Sequence, residues 1–407
     1  MRFVVVTYGS EGDTRPLVGV CAGLQAAGHT VTLLAEASTL SPARDLGIPC
    51  KALAGDIRTV GGGAFQKLVA KGGEDVRAAL KAVAQVAKEN TEAWLAATLE
   101  HARRADAILF SGVASYVGLA VGEYLGIPAI GLGLWPIKPT REFGSPLLPQ
   151  GLPGFLAKPG HLLVRAAMWR VFGPSLNAAT ARVWGGKPRA KGWTDYPTAY
   201  GVSPCLVPQP ADWPETVRMC GAWSSPVPAG WQPDPALEEF LTAGPKPLYF
   251  GFGSMAGFAR RPVVEALVGA ARGRRAVMFA GWSGIEASDL PPNFRLVGPM
   301  PHQWLFPHMA AIVHHGGAGT SHTAARAGVP SVVVPFAADQ FFWADRLYRA
   351  GCAAAPVKRQ GMDGAILGRH LESALALQDK SAALGHAMAR EDGVGEAVRL
   401  IERWSGA

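Results

Sequence analysis

Charge is scarce in this sequence. Of 407 residues only 17% are charged while 49% are hydrophobic, which excludes a disordered chain and leaves enough apolar material for sizeable cores. Cysteine is scarcer still. Cys21, Cys50, Cys205, Cys220 and Cys352 are scattered and no CxxC occurs, so the thiols read as free in a reducing compartment. Long hydrophobic runs are missing as well. The most apolar region, 105–136, is broken by Glu123, Pro128 and several glycines, short of the roughly 20 apolar residues a membrane helix needs. Glu11 and Asp13 interrupt the N-terminal run before a secretory core could form. The chain therefore reads as soluble and cytoplasmic, with no integral membrane segment. GxGxxG, HExxH and the Walker pattern are absent, which argues against nicotinamide, zinc-protease and P-loop chemistry.

What is present is basic and strand-rich. The formal net charge is +8. Lys158, Arg165, Arg170, Arg182, Lys187, Arg189 and Lys191 fall between Glu142 and Asp195 with no acidic residue among them. Arg165 and Arg170 lie about 140° apart on a helix and make no single basic face. No zinc-finger spacing or RNA-binding signature accompanies them, so no nucleic acid partner is expected, and a solvated surface is favoured over contact with an anionic membrane or ligand.

The run from Arg2 to Gly9 is a β-branched strand ending in glycine, Pro16 to Ala27 a helix, and His29 to Glu36 a second strand, a βαβ unit. Strands follow at 48–53, 107–110, 128–134 and 198–202, with helices over 75–104 and 161–183. Eight prolines between Pro204 and Pro235 mark a linker with little regular structure. Beyond it strands recur at 247–254, 275–281, 294–299, 310–315 and 330–336. Alternation on both sides of one linker predicts two doubly wound α/β domains facing a cleft. The expected divisions are 1–203, a linker 204–236, 237–385, and a C-terminal helix over 386–407 that can cross back onto the first domain. Open parallel sheets bind ligands at the carboxyl ends of their strands, so the loops just after strands carry the candidates.

HHGGAGT, His314 to Thr320, follows a buried strand and opens a helix. Its glycines let the backbone approach a ligand, and the free N–H groups from Ala318 and Gly319 onward suit a phosphate. Thr320 adds a hydroxyl and His315 a ring donor. Phosphate binding is favoured over a structural turn. PFAADQ ends the next strand with Asp339 and Gln340. A carboxylate beside a carboxamide suits sugar hydroxyls; a helix cap by Asp339 is the equal alternative. In GSEGDTRP, Asp13 reads either as a helix cap or as a general base facing the cleft.

Together GSEGDTRPLVGVCAGLQAAGHTVT, REFGSPLLP, AGPKPLYFGFGSM, PHQWLFPHMAAIVHHGGAGT and PFAADQFFWADRL resemble family 1 glycosyltransferases, notably the bacterial antibiotic glycosyltransferases and the sterol 3-β-glucosyltransferases. The resemblance implies a GT-B fold of two Rossmann-like domains and an inverting, metal-independent transfer from a nucleotide sugar, with no cofactor; no D-x-D occurs in the sequence. It places phosphate contacts on His315, Ala318, Gly319 and Thr320, and sugar contacts on Asp339 and Gln340. Nucleoside contacts fall on Met300 and His302, with Ser254 and Trp282 as further candidates. The N-terminal loop of the relatives, GSRGD, matches Ser10 and Asp13, the proposed base. Here Glu11 stands where they carry Arg, which puts a negative charge near the donor diphosphate. Gln303 stands where sterol-type relatives carry Asp.

The implied partners are a nucleotide-sugar donor, UDP-glucose first with a dTDP-hexose as the alternative, and a hydrophobic small-molecule acceptor such as a polyketide, sterol or phenolic. Phe65, Trp135, Phe143, Phe155, Trp169 and Phe172 in the first domain suggest such an aglycone, with core packing as their bland alternative. A nucleotide-sugar epimerase and a non-catalytic partner of a glycosyltransferase are the rival functions.

Overall fold

The computed structural model describes residues 1–55, 76–252, 260–281, 284–360 and 362–406; for the helix that opens at 76, side chains are described from 84 onward. Phe65, Ser254 and Trp282 lie outside the described residues.

The first domain is a seven-stranded parallel sheet in the order β3-β2-β1-β4-β5-β6-β7. Its strands are β1 (Arg2–Val6), β2 (Thr30–Glu36), β3 (Cys50–Leu53), β4 (Ala107–Phe110), β5 (Ala129–Gly133), β6 (Thr198–Tyr200) and β7 (Val217–Met219). Between them run helices α1 (Glu11–Ala26), α2 (Ser41–Asp45), α3 (Val76–Ala102), α4 (Ser115–Leu125) and α5 (Ala157–Trp184). Successive side chains of a strand point to opposite faces. Accordingly Phe3 and Val5 enter one apolar core with Leu17, Leu24 and Leu33, and Val4 and Val6 enter a second with Trp94 and Leu95. Burial on both faces explains why β1 reads as an unbroken apolar run.

The second domain repeats the plan with five parallel strands in the order β10-β9-β8-β11-β12. These are β8 (Leu248–Gly251), β9 (Ala276–Phe279), β10 (Phe294–Val297), β11 (Ala311–His314) and β12 (Ser331–Val333). Its helices are α6 (Pro235–Thr242), α7 (Arg260–Ala271), α8 (His302–Leu305), α9 (Ala318–Arg326), α10 (Gln340–Arg349), α11 (Gly364–Leu375), α12 (Gln378–Ala389) and α13 (Gly393–Ser405). In each sheet the strand order reverses beside the first strand, between β1 and β4 and between β8 and β11. Those switch points open crevices at the carboxyl ends, where the first turn of α1 carries Asp13 and the junction of β11 with α9 carries HHGGAGT.

Two sequence expectations change. The proline-rich stretch is not wholly irregular: Thr198, Ala199 and Tyr200 pair in parallel with Val217, Arg218 and Met219. A three-residue strand shows no period, and an edge strand tolerates prolines around it because one side of its backbone needs no partner. Helix α1 starts at Glu11 rather than Pro16, because Asp13 accepts the Ser10 backbone N–H at 2.7 Å and so closes the first turn early.

The domains are fastened through buried groups. Phe143, Tyr200 and Trp213 share a core with Ala325, Phe342 and Trp343, Phe143 lying 5.9 Å from the Phe342 ring. Ala397, Leu400 and Ile401 of α13 pack into the core beneath β1, and the Trp223 indole donates to Gly393 O at 3.0 Å. Among the described residues no helix is long and apolar enough to cross a membrane.

Candidate functional site

Helix α9 starts at the cleft with Gly317 as its N-cap residue and no side-chain cap. Its first-turn N–H groups at Ala318, Gly319 and Thr320 therefore face the loop without intrahelical partners. A side chain added at Gly319 would meet nothing within 4 Å, so this turn borders open space. Gly316 sits at φ +89°, where a Cβ would lie 2.8 Å from Val333 Cγ1 and 3.0 Å from Gln340 O; a larger residue would push the loop off β12. The His315 ring lies against Gly317, whose added Cβ would meet Nε2 at 2.6 Å. Its Nδ1 is buried without a hydrogen-bond partner. Burial pulls the His315 pKa down to about 4, so the ring is neutral near pH 7 and carries one N–H. His314 points away: its Nδ1 accepts the Gly316 N–H at 3.1 Å.

Across the loop, Asp339 occupies the N-cap position of α10 but caps no backbone N–H. Instead its carboxylate accepts the Trp343 indole N–H at 2.8 Å. The capping alternative thus fails for Asp339 at the level of geometry. Burial raises its pKa to about 6, and the Asp13 carboxylate adds to the rise. The two carboxylates, from opposite domains, are therefore near enough for the charge of Asp13 to be felt at Asp339. Ala338 just before it holds φ +53°, a left-handed conformation costing about 1–2 kcal/mol for a side chain with a Cβ. Gln340 is buried, and its Oε1 accepts the N–H groups of Phe336 at 2.8 Å and Ala337 at 3.2 Å. Its carbonyl end is thereby committed to the turn after β12.

On the first domain, Asp13 is not on a free loop as its sequence context suggests but at the third position of α1. Its Oδ2 accepts both the Ser10 N–H and the Ser10 hydroxyl, at 2.7 and 3.0 Å. Both bonds use one oxygen, which leaves Oδ1 without a hydrogen-bond partner among the described residues. Burial raises the Asp13 pKa against the lowering effect of the two Ser10 bonds. Gly9 makes room for the carboxylate, since a Cβ there would meet Oδ2 at 2.3 Å. Glu11 is clasped by Arg15 one turn on, whose Nε donates to Oε1 at 3.0 Å. The charge expected near the diphosphate is thus locally balanced.

The remaining candidates sit beside these. His302 lies parallel to Phe306 with ring centroids 4.5 Å apart, and its Nε2 is 3.2 Å from the Tyr249 hydroxyl. Burial lowers its pKa to about 4, helped by the charge of Arg15 and by competition with the neighbouring His315 ring for a proton. Met300 packs, half-buried, against the same core. Gln303 donates to Ser225 O at 3.0 Å, in the stretch that connects the domains. A small cavity joins Pro16, Leu134 and Gly201 of the first domain to Ala318, Gly319 and His322 of α9. Among the described residues no three His, Cys, Asp or Glu side chains gather as a metal site would need.

Residues 276–398 match the C-terminal domain of erythromycin biosynthesis protein CIII-like proteins. Over 99% of its length the chain is 31% identical to a sterol 3-beta-glucosyltransferase of Arabidopsis thaliana, covering 68% of that protein. It is 33% identical to the O-mycaminosyltylonolide 6-deoxyallosyltransferase of Streptomyces fradiae, with 100% of this chain and 98% of that protein covered. The chain belongs to the family 1 glycosyltransferases. Its fold is GT-B: it superposes on the solved glycosyltransferase VinC, in complex with dTDP, with a TM-score of 0.67 over 100% of both chains at 19% identity. The protein is a hexosyltransferase.

Several residues around the candidate site carried no sequence signal. Arg15 and Trp343 lie four residues after Glu11 and Asp339, the spacing of helical neighbours, but for Arg15 that spacing is informative only once α1 is known to start at Glu11. His322, buried, bonds Ala318 O through Nδ1 at 2.8 Å and accepts the Ser203 N–H on Nε2 at 3.2 Å. Of the aromatic acceptor candidates, Phe143 and Phe172 are core residues. Trp135 and Trp169 are half-buried against core clusters. Phe155 stands out from the surface, 79% exposed.

Proposed function

We propose that this glycosyltransferase moves a hexose from a nucleotide sugar, UDP-glucose or a dTDP-hexose, to a hydroxyl of an apolar small molecule of the sterol, polyketide or phenolic kind. The transfer inverts the anomeric centre and uses no metal. The observation that carries the reading is the meeting, at one cleft, of an uncapped helix N-terminus with a carboxylate oxygen left free on the opposite domain. The acceptor hydroxyl attacks the anomeric carbon while Asp13 Oδ1 takes its proton. The carbon–oxygen bond to the nucleoside diphosphate breaks from the other face. The charge that collects on the departing phosphate is met by the N–H groups of Ala318, Gly319 and Thr320, the Thr320 hydroxyl and the neutral His315 ring, donors already oriented before reaction.

Asp339 and the carboxamide of Gln340 hold sugar hydroxyls so that the anomeric carbon faces the acceptor. Met300 and His302 border the nucleoside. The acceptor class is supported by the activities of the sterol and macrolide relatives, and the dTDP alternative by the ligand of VinC. The deciding experiment incubates the protein with UDP-glucose or a dTDP-hexose, with and without a library of sterols, macrolides and phenolics. Release of nucleoside diphosphate only with acceptor, with a product of opposite anomeric configuration, is expected. Donor turnover that ignores the acceptor, or a retained configuration, refutes the reading.

A further inference from the structure

The basic, acid-free segment between Glu142 and Asp195 is not used by the site, and neither is the surface that α5 presents. In α5 the positions Pro159, Leu162, Leu163, Ala166 and Arg170 are exposed or nearly so. At 100° per residue they fall within an arc of about 100°. The opposite side, with Ala157, His161, Phe172 and Leu176, is buried. The turn Gly154–Leu156 leads into the helix and adds Phe155, whose ring is 79% exposed; Leu163 is 65% exposed. A soluble surface does not normally line up such side chains on one helical face.

Charge says what covers it. Lys158, Arg165, Arg170 and Arg182 are the charged residues of α5, with no acid among its 28 residues. Arg182 pairs with Glu92; Arg165 and Arg170 form no ion pair with a described residue. An apolar stripe bearing cations and no anions matches a bilayer interface with acidic headgroups, where the stripe enters the acyl boundary and the cations meet phosphates. A second protein copy would offer this same cationic face and repel it.

We infer that the exposed face formed by Phe155, Leu162, Leu163 and Ala166 is a docking surface for an anionic lipid bilayer. The buried side of the same helix is anchored towards the second domain: His161 bonds Phe143 O at 3.1 Å, and Phe143 packs on Phe342 of α10. A bilayer held there brings an apolar acceptor to the first domain without any segment spanning the membrane.

The test is co-sedimentation of the full chain with vesicles of phosphatidylcholine containing about one third phosphatidylglycerol, against vesicles of phosphatidylcholine alone. The wild type is expected to bind the anionic vesicles roughly tenfold or more tightly, and to lose this in high salt. Phe155→Ser/Leu163→Ser and Arg165→Glu/Arg170→Glu are each expected to weaken binding by roughly tenfold while melting like the wild type. Leu163→Gln alone, expected to weaken binding in the same direction, replaces the first pair if it aggregates. No binding by the wild type, equal binding to both vesicle types, or wild-type binding by the variants overturns the inference. So does a wild-type dimer that Phe155→Ser/Leu163→Ser dissociates in the absence of vesicle binding. The assay uses neither donor nor acceptor, so its failure leaves the proposed reaction standing.

Discussion

Replacing Asp13 by asparagine exchanges one oxygen for an amide nitrogen and leaves the shape of the cleft alone. Asparagine keeps a carbonyl oxygen that can accept the Ser10 N–H now bound at 2.7 Å, so the first turn of α1 survives. What the fold loses is a charge near a helix N-terminus, about 0.3–1 kcal/mol, partly offset because a buried carboxylate no longer needs desolvating. What the proposed reaction loses is its base. That costs about 10²–10⁴-fold in kcat, or about 2.7–5.5 kcal/mol, several times the largest stability change. The assay is acceptor-dependent diphosphate release beside a melting curve and a titration of donor binding.

The expected result is a collapse of kcat with donor affinity and Tm nearly intact. The pH profile adds a second readout. A base must be unprotonated, and burial raises the Asp13 pKa, so wild-type kcat/KM should fall on acidification at a pH above the ordinary carboxylate range. Residual activity of Asp13→Asn should lack that limb. A limb that persists in the variant, moved to lower pH because the Asp13 charge no longer adds to the rise, would belong to Asp339. Gly9→Ala should mimic the loss, since its Cβ would meet Oδ2 at 2.3 Å. Wild-type turnover by Asp13→Asn would leave the residue with the helix turn as its whole role.

Three further outcomes follow from the same geometry. His315→Ala should weaken nucleoside diphosphate binding by about 1.5–3 kcal/mol, the value of a hydrogen bond to a charged group, and leave the free nucleoside nearly unaffected; equal losses for both in calorimetry would reject the phosphate contact. Gln340→Glu keeps an oxygen for the Phe336 and Ala337 N–H groups but removes the amide donor, so the ratio of kcat/KM for two donors differing by one hydroxyl should shift with Tm held; an unchanged ratio would assign Gln340 to the turn alone. Stability should fall from pH 7 toward pH 4.5. Burial lowers the pKa of His161, His302, His314, His315 and His322, so below about 6.5 the unfolded chain binds protons that the folded chain refuses. The raised Asp13 and Asp339 act in the opposite sense, the folded chain taking their protons first, but they are two against five. A Tm that is flat or rises on acidification would contradict this balance.

The strands were legible because burial on both faces writes itself as apolar runs: β1, β4, β9 and β11 lie where the β-branched stretches stand. The sites after them followed from the rule that open parallel sheets bind at their carboxyl ends. What was not legible is set by single hydrogen bonds. Periodicity starts α1 at Pro16, whereas the bond from Ser10 N–H to Asp13 starts it at Glu11. That shift turns Asp13 from a loop residue into a helical one and brings Arg15 under Glu11. Likewise the sequence offers Asp339 as a helix cap or a sugar ligand with equal weight. The Trp343 indole decides the first half of that choice by taking the carboxylate away from the backbone. Strand β7 is three residues long between prolines, too short for any period to show.

The indole also shows how one domain orients the other's site. Trp343 meets the His322 ring edge-on at 4.8 Å. Burial lowers the His322 pKa, so the ring is neutral, and its two bonds fix the tautomer: Nδ1 donates to Ala318 O while Nε2 accepts the Ser203 N–H. Ser203 belongs to the loop after β6 and donates its hydroxyl to Glu391 at 2.6 Å. A buried line of contacts therefore runs from the first domain to the first residue of α9 and, through Trp343, to the Asp339 carboxylate. The uncapped N-terminus of α9 and the Asp339 carboxylate are thus braced by one imidazole. In the proposed transfer, side chains braced in this way need little rearrangement, and stabilisation of the leaving phosphate by fixed dipoles depends on that.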